Sequence, residues 1–183
     1  MTSEDDRRLL LQIARDAIVA HVRRGAAPAP PDTGVGARVG GAFVTLHSCG
    51  DLRGCIGHVE ATEPLASVIG RCAVAACSAD PRFPPVTAAE LTNIDIELSL
   101  LGPLEPVTDV GGIEVGRHGL VVEMRGQRGL LLPQVATEWR WDREAFLSHT
   151  CRKAGLPNDA WQRGAKLWKF EAEVFGEHAP RET

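Results

Sequence analysis

Between positions 94 and 100 apolar and polar residues alternate without a break: Ile94, Ile96, Leu98 and Leu100 against Asp95, Glu97 and Ser99. Successive side chains of a strand point to opposite faces, so this stretch predicts a strand with one face in a core and one polar face. A chain holding such a strand must build a sheet and cover one side of it. Leu10, Ile13, Ala14, Ala17, Ile18 and Val22 recur at helical spacing and predict a helix over 5–24, begun by Ser3 and Asp6 in a capping box. Leu65, Val68, Ile69, Cys72, Ala73 and Ala76 make a second stripe behind Pro64, which the prolines of Asp80-Pro-Arg-Phe-Pro-Pro85 bring to an end in a rigid connection. Cys72 belongs to that stripe, and Cys77 falls off it, on a partly exposed side. Strands are predicted over 42–47 and 52–57, with the turn at 48–51.

Pro103 and Pro106 interrupt the chain, and a second half begins at about 103. Strands are predicted there over 119–124 and 129–132, joined through Arg125-Gly126-Gln127. Pro133 opens a short helix to Trp139, and Asp142 caps the next, which Gly155 and Pro157 close with Cys151 inward. A last strand over 166–175 sets Trp168, Phe170, Ala172 and Val174 against Lys169, Glu171 and Glu173. This order of elements argues for an α+β fold rather than a doubly wound sheet. The 183 residues suit one domain over 1–183, with two lobes and a flexible Pro- and Gly-rich connector at 26–41. Gly34-Val-Gly36 within that connector follows prolines and opens no helix, so it is not a phosphate loop.

Composition narrows the function. A formal net charge of −4 without a basic stripe argues against nucleic acid. Asp5, Asp6, Arg7 and Arg8 break any early apolar run, and no later run reaches membrane-spanning length. Five cysteines, an odd number without small-scaffold spacing, fit reduced thiols in a cytoplasm.

The chemistry concentrates in Leu52-Arg-Gly-Cys-Ile-Gly57. On a strand, Arg53, Cys55 and Gly57 share one face, and Leu52, Gly54 and Ile56 the other. A guanidinium beside a thiol favours the reactive thiolate, so Cys55 and Arg53 are the candidate catalytic pair, and a packed, inert Cys55 is the other reading. Gly54 and Gly57 remove bulk, which admits a ligand or another backbone. If the 94–100 strand joins the same sheet, Glu97 sits beside Arg53. Glu97, Gln134 and Glu138 complete the expected pocket with Gly54, Ile56 and Gly57. His47, Cys49, Cys55 and His58 invite a zinc reading. A turn near 50 puts Cys55 opposite residue 45 and His58 opposite 42, so His58 and Cys49 are about 20 Å apart and no metal is assigned. No cofactor motif is present.

Leu52-Arg-Gly-Cys-Ile-Gly57, Asp80-Pro-Arg-Phe-Pro-Pro85 and Leu132-Pro-Gln-Val-Ala136 together resemble the signature segments of the AMMECR domain, and Glu138-Trp139, Trp141-Asp142, Phe146-Leu147 and Cys151-Arg-Lys-Ala-Gly-Leu156 extend the likeness. The resemblance implies an α+β unit with larger and smaller lobes around an antiparallel sheet. It implies two partners, a Memo-type protein similar to extradiol dioxygenases and a radical S-adenosylmethionine protein, with a small-molecule ligand allowed for. The expected role is that of a partner or substrate-presenting component, working through a pocket lined by Arg53, Gly54 and Cys55. The alternative is a thiol-dependent enzyme with Cys55 as nucleophile on a small anionic substrate. The chain departs from the family pattern at His58, where a small residue is usual, and at Cys77 and Ser78, where Ala and Phe are frequent.

Overall fold

The structure is a computed structural model that describes residues 2–29, 31 and 34–177. Positions 30, 32 and 33 of the expected connector, and 1 and 178–183 of the expected domain, lie outside the described residues. The order of elements is α1 (Glu4–Val22), β1 (Ala42–Ser48), β2 (Asp51–His58), α2 (Leu65–Ser78), β3 (Ile94–Leu101), β4 (Glu105–Pro106), β5 (His118–Met124), β6 (Gln127–Leu131), α3 (Pro133–Glu138), α4 (Arg143–Lys153) and β7 (Lys166–Gly176). With helices on antiparallel strands, the fold is α+β. The chain divides into two units, Met1–Leu101 with Glu173–Thr183, and Gly102–Ala172.

In the first unit β1 lies between β2 and β3, antiparallel to both. The even residues Ala42, Val44 and Leu46 of β1 and Ile94, Ile96 and Leu98 of β3 are buried against Leu10, Ala14 and Ile18 of α1 and Val68, Ile69, Cys72 and Ala73 of α2. The alternation over 94–98 therefore marks the core face as read, whereas beyond it Ser99 is fully buried and Leu100 only partly. Ser3 caps α1 through the reciprocal box with Asp6. The hairpin turn is Cys49-Gly50, both with positive φ (53° and 91°), the backbone of a two-residue turn whose twist matches that of the strands.

Four expectations change. Cys77 is buried, because the chain after α2 folds back and Val86 N–H donates to the Cys77 carbonyl. Part of the connector is packed: Val35 is buried in a 3₁₀ turn, Gly34–Ala37, and Val39 bridges to Pro64. The register shifts between Leu46 and His47, so Leu52 pairs with His47 and stands exposed, out of step with Gly54. Val174, expected on one face with Phe170, is exposed where Phe170 is buried, and Glu173 turns to α1, where Thr2 and Arg7 donate to its carboxylate.

In the second unit β7 pairs with β5 and with the short β4, and β5 pairs onward with β6. Arg125-Gly126, again with positive φ, turns β5 into β6, so Gln127 already belongs to the strand. Ile113, Leu120, Ala136, Phe146 and Leu147 form one cluster and Val122, Cys151, Ala154, Leu156 and Ala160 another. Asp142 caps α4 through the Ala145 N–H. No described helix is long and apolar enough to cross a membrane.

Candidate functional site

Strand pairing sets out the polar face of the first unit in rows. Cys55 pairs with Thr45, and Thr45 with Glu97, so these three form one row over three strands. His47 pairs with Asp95 in the next row. Side chains directly opposite on antiparallel strands share a face. The expected register, Cys55 opposite 45 and His58 opposite 42, is the observed one. Among the described residues no three His, Cys, Asp or Glu side chains are placed to hold a metal ion.

Gly54 and Ile56 belong to the other face. A Cβ on Gly54 would stand 2.2 Å from the Ala76 carbonyl oxygen of α2, so its missing side chain serves helix–strand packing. Ile56 packs on the core of the first unit. Gly57 shares the Cys55 face, where its position is filled by the Phe43 ring. The two glycine positions are therefore occupied from within the fold. A backbone and a ring, not a ligand, make the close approach.

Arg53 corrects the central expectation. Its Nε and Nη2 donate to the Glu90 carboxylate at 2.9 and 3.4 Å, and its Nη1 donates to the Pro84 carbonyl at 2.9 Å. Its side chain is 13% exposed. The Phe83 ring covers one flank, 6.0 Å from the guanidinium carbon. The carboxylate that meets Arg53 is Glu90, and Glu97 instead extends the Cys55–Thr45 row. Arg53 bonds, followed by the Thr87 N–H, hold Glu90 down at about 2. The guanidinium is thus committed to the 84–90 loop.

Cys55 is half-buried, with Sγ 3.3 Å from the Thr45 hydroxyl. Burial pushes its thiol up, outweighing the Thr45 hydrogen bond and the charge of Arg82. Desolvation disfavours the charged form of an acid, so Cys55 is a neutral thiol at physiological pH. Its backbone N–H, pointing off the sheet edge, donates to Asp80 Oδ2 at 2.9 Å. Asp80 is buried and also accepts from Arg82 N, Nε and Nη2. The Arg82 bonds hold its carboxyl well below the usual carboxylate range in spite of burial.

Sequence reasoning missed Thr45, Asp80, Arg82 and Glu90. The hairpin register pointed at Thr45, and the Asp80-to-Pro85 motif was visible as a rigid connection and a signature segment, with no role for its side chains. Gln134 and Glu138 lie on α3 of the second unit, Gln134 half-buried and Glu138 exposed.

The sequence matches the AMMECR1 family over residues 11–175. The chain belongs to the AMMECR1 family. This AMMECR1 chain is 46% identical to a protein of Methanothermobacter thermautotrophicus over 96% of each chain. It is 47% identical to Protein MJ0810 of Methanocaldococcus jannaschii over 77% of this chain and 75% of the other. The AMMECR1 fold is also that of a crystal structure of the uncharacterized protein PH0010 from Pyrococcus horikoshii. That match has a TM-score of 0.91 and 40% identity, covering 100% of this chain and 96% of the other.

Proposed function

We propose that this AMMECR1 chain is a recognition component, not a catalyst in its own right. Its polar face around Cys55 and Thr45 presents a small ligand to, or docks, a Memo-type protein and a radical S-adenosylmethionine protein. The observation that carries this reading is the pairing of charges at the motif. Arg53 is spent on Glu90 and Pro84, and burial keeps the Cys55 thiol protonated. A nucleophilic cysteine needs a lowered pKa or an adjacent base, and Cys55 has a hydroxyl beside it instead. With all five cysteines free, we place this role in the cytoplasm.

The test is the pH dependence of Cys55 alkylation in the wild-type chain, read peptide by peptide so that the buried cysteines need no replacement. The expected midpoint lies above that of an ordinary thiol, about 8.5. A midpoint clearly below that value would overturn the reading. A complex with a Memo-type protein that survives Cys55→Ser supports it further. The second reading, Cys55 as a nucleophile on a small anionic substrate, draws on two observations: Cys55 is only half-buried, and the Arg82 charge opposes the effect of burial. Loss of turnover by the assembled system on Cys55→Ser, together with a low alkylation midpoint, would favour it.

A further inference from the structure

The Asp80-Pro-Arg-Phe motif does more than link α2 to β3. Asp80, 4% exposed, receives four hydrogen bonds on its two carboxylate oxygens. Two of them come from one edge of the Arg82 guanidinium, Nε to Oδ1 at 3.0 Å and Nη2 to Oδ2 at 2.7 Å. The Phe83 ring backs the same guanidinium at 5.4 Å. Yet the Arg82 side chain is 53% exposed, and its Nη1 has no partner among the described residues. Asp80 Oδ2 accepts from Cys55 N and Arg82 Nη2 alike, so the cation stands two hydrogen bonds from the Cys55 backbone.

Two arginines flank Phe83, and they differ in kind. Arg53 is closed, with every nitrogen engaged. Arg82 is open: Asp80 takes its Nε–Nη2 edge and leaves the Nη1–Nη2 end pointing outward. Ordering a long exposed side chain costs conformational entropy, and an exposed ion pair returns little stability for it. A buried carboxylate that fixes the plane of an exposed guanidinium instead prepares it for two-pronged contact with a planar or tetrahedral anion.

We propose that Arg82, not Arg53, is the anion-binding residue of the Cys55 face. Its free end takes the carboxylate or phosphate group of a small ligand at the edge of β2, two hydrogen bonds from the Cys55 backbone. The inference rests on the reading of that face as a recognition surface. Asp80 already offsets part of the cationic charge, so a bare ion binds weakly.

The full chain, labelled with ¹⁵N, is titrated with inorganic phosphate and separately with malonate at constant ionic strength. The expected result is a saturable shift of the Arg82 Nε–H and Cys55 amide resonances. The anion that saturates at lower concentration identifies the ligand's acidic group. Arg82→Gln weakens the response of the Cys55 amide at least tenfold, and Arg71→Gln, at an exposed pair with Glu63 elsewhere, leaves it unchanged. Should Arg82→Gln fail to fold, Arg82→Lys serves the same test, because it keeps the charge and loses the two-pronged end. Shifts that never saturate with either anion, or that persist undiminished in the Arg82 variants, overturn the proposal. A low Cys55 alkylation midpoint would overturn the recognition reading and leave a demonstrated anion site standing, so the two failures are distinct.

Discussion

Gly54 stands next to the cysteine in the chain and on the opposite side of the sheet. With its missing Cβ 2.2 Å from the Ala76 carbonyl, Gly54→Ala must push α2 off the strand. Overpacking of this kind costs on the order of 3 kcal/mol, and the urea midpoint should fall accordingly; an unchanged midpoint would mean that α2 does not sit on β2 as described. Glu90 yields a second expectation. Its folded carboxyl titrates at about 2, below its ordinary 4.5, so the folded state takes up that proton less readily than the unfolded one. The contribution of the Arg53–Glu90 pair is complete above pH 4.5 and is lost as the pH falls towards 2. Glu90→Gln should therefore be less stable at neutral pH, with a shallower acid limb over that window. Identical slopes for variant and wild type would show that Glu90 does not hold Arg53. This pairing was not legible in advance. Arg53 and Glu90 lie 37 positions apart, and no local pattern reaches over such a separation.

At the scale of elements, the β1–β2 hairpin decides what faces Cys55. Its turn needs two residues in the left-handed region, and Cys49 fills one of them at φ 53°. Asn tolerates that conformation better than a side chain without a local hydrogen bond. Cys49→Asn should then stabilise the chain by about 0.5 kcal/mol, a part of the usual left-handed penalty. Thermal unfolding measures this, and the Cys55 alkylation midpoint should stay where it is. Destabilisation would mean a different turn. The hairpin was readable because a turn centred at 49–50 fixes the pairing of Thr45 with Cys55. The irregularity opposite Leu46 and His47 was not, since alternation by itself carries no sign of an inserted residue.

For the molecule as a whole, each unit closes a core of its own, and each has its own response to acid. In the second, His118 is 5% exposed, and its Nδ1 accepts from the Glu114 N–H at 2.9 Å. Burial, then the Lys169 charge, lowers its pKa from 6.5. The unfolded chain thus takes up this proton before the folded one does, and stability is lost as the pH falls below 6.5. Exchange protection of the β5 amides, corrected for intrinsic rates, should decline in that range. His118→Asn keeps an acceptor without the titration and should abolish the decline; an equal decline in the variant would remove His118 as its cause.

The sequence by itself determined what is local and periodic. Alternation placed Ile94, Ile96 and Leu98 in the core, helical spacing oriented α1 and α2, and turn chemistry set the register that puts Thr45 opposite Cys55. Tertiary structure decided which charges meet. Which arginine is closed by Glu90 and which is left open by Asp80 depends on how the loop after α2 folds against the edge of β2. The physical reason is that backbone geometry repeats every few residues and leaves a pattern in the chain. The partner of Arg53 lies 37 positions away and is chosen by proximity in space, and such a separation writes no pattern in the chain.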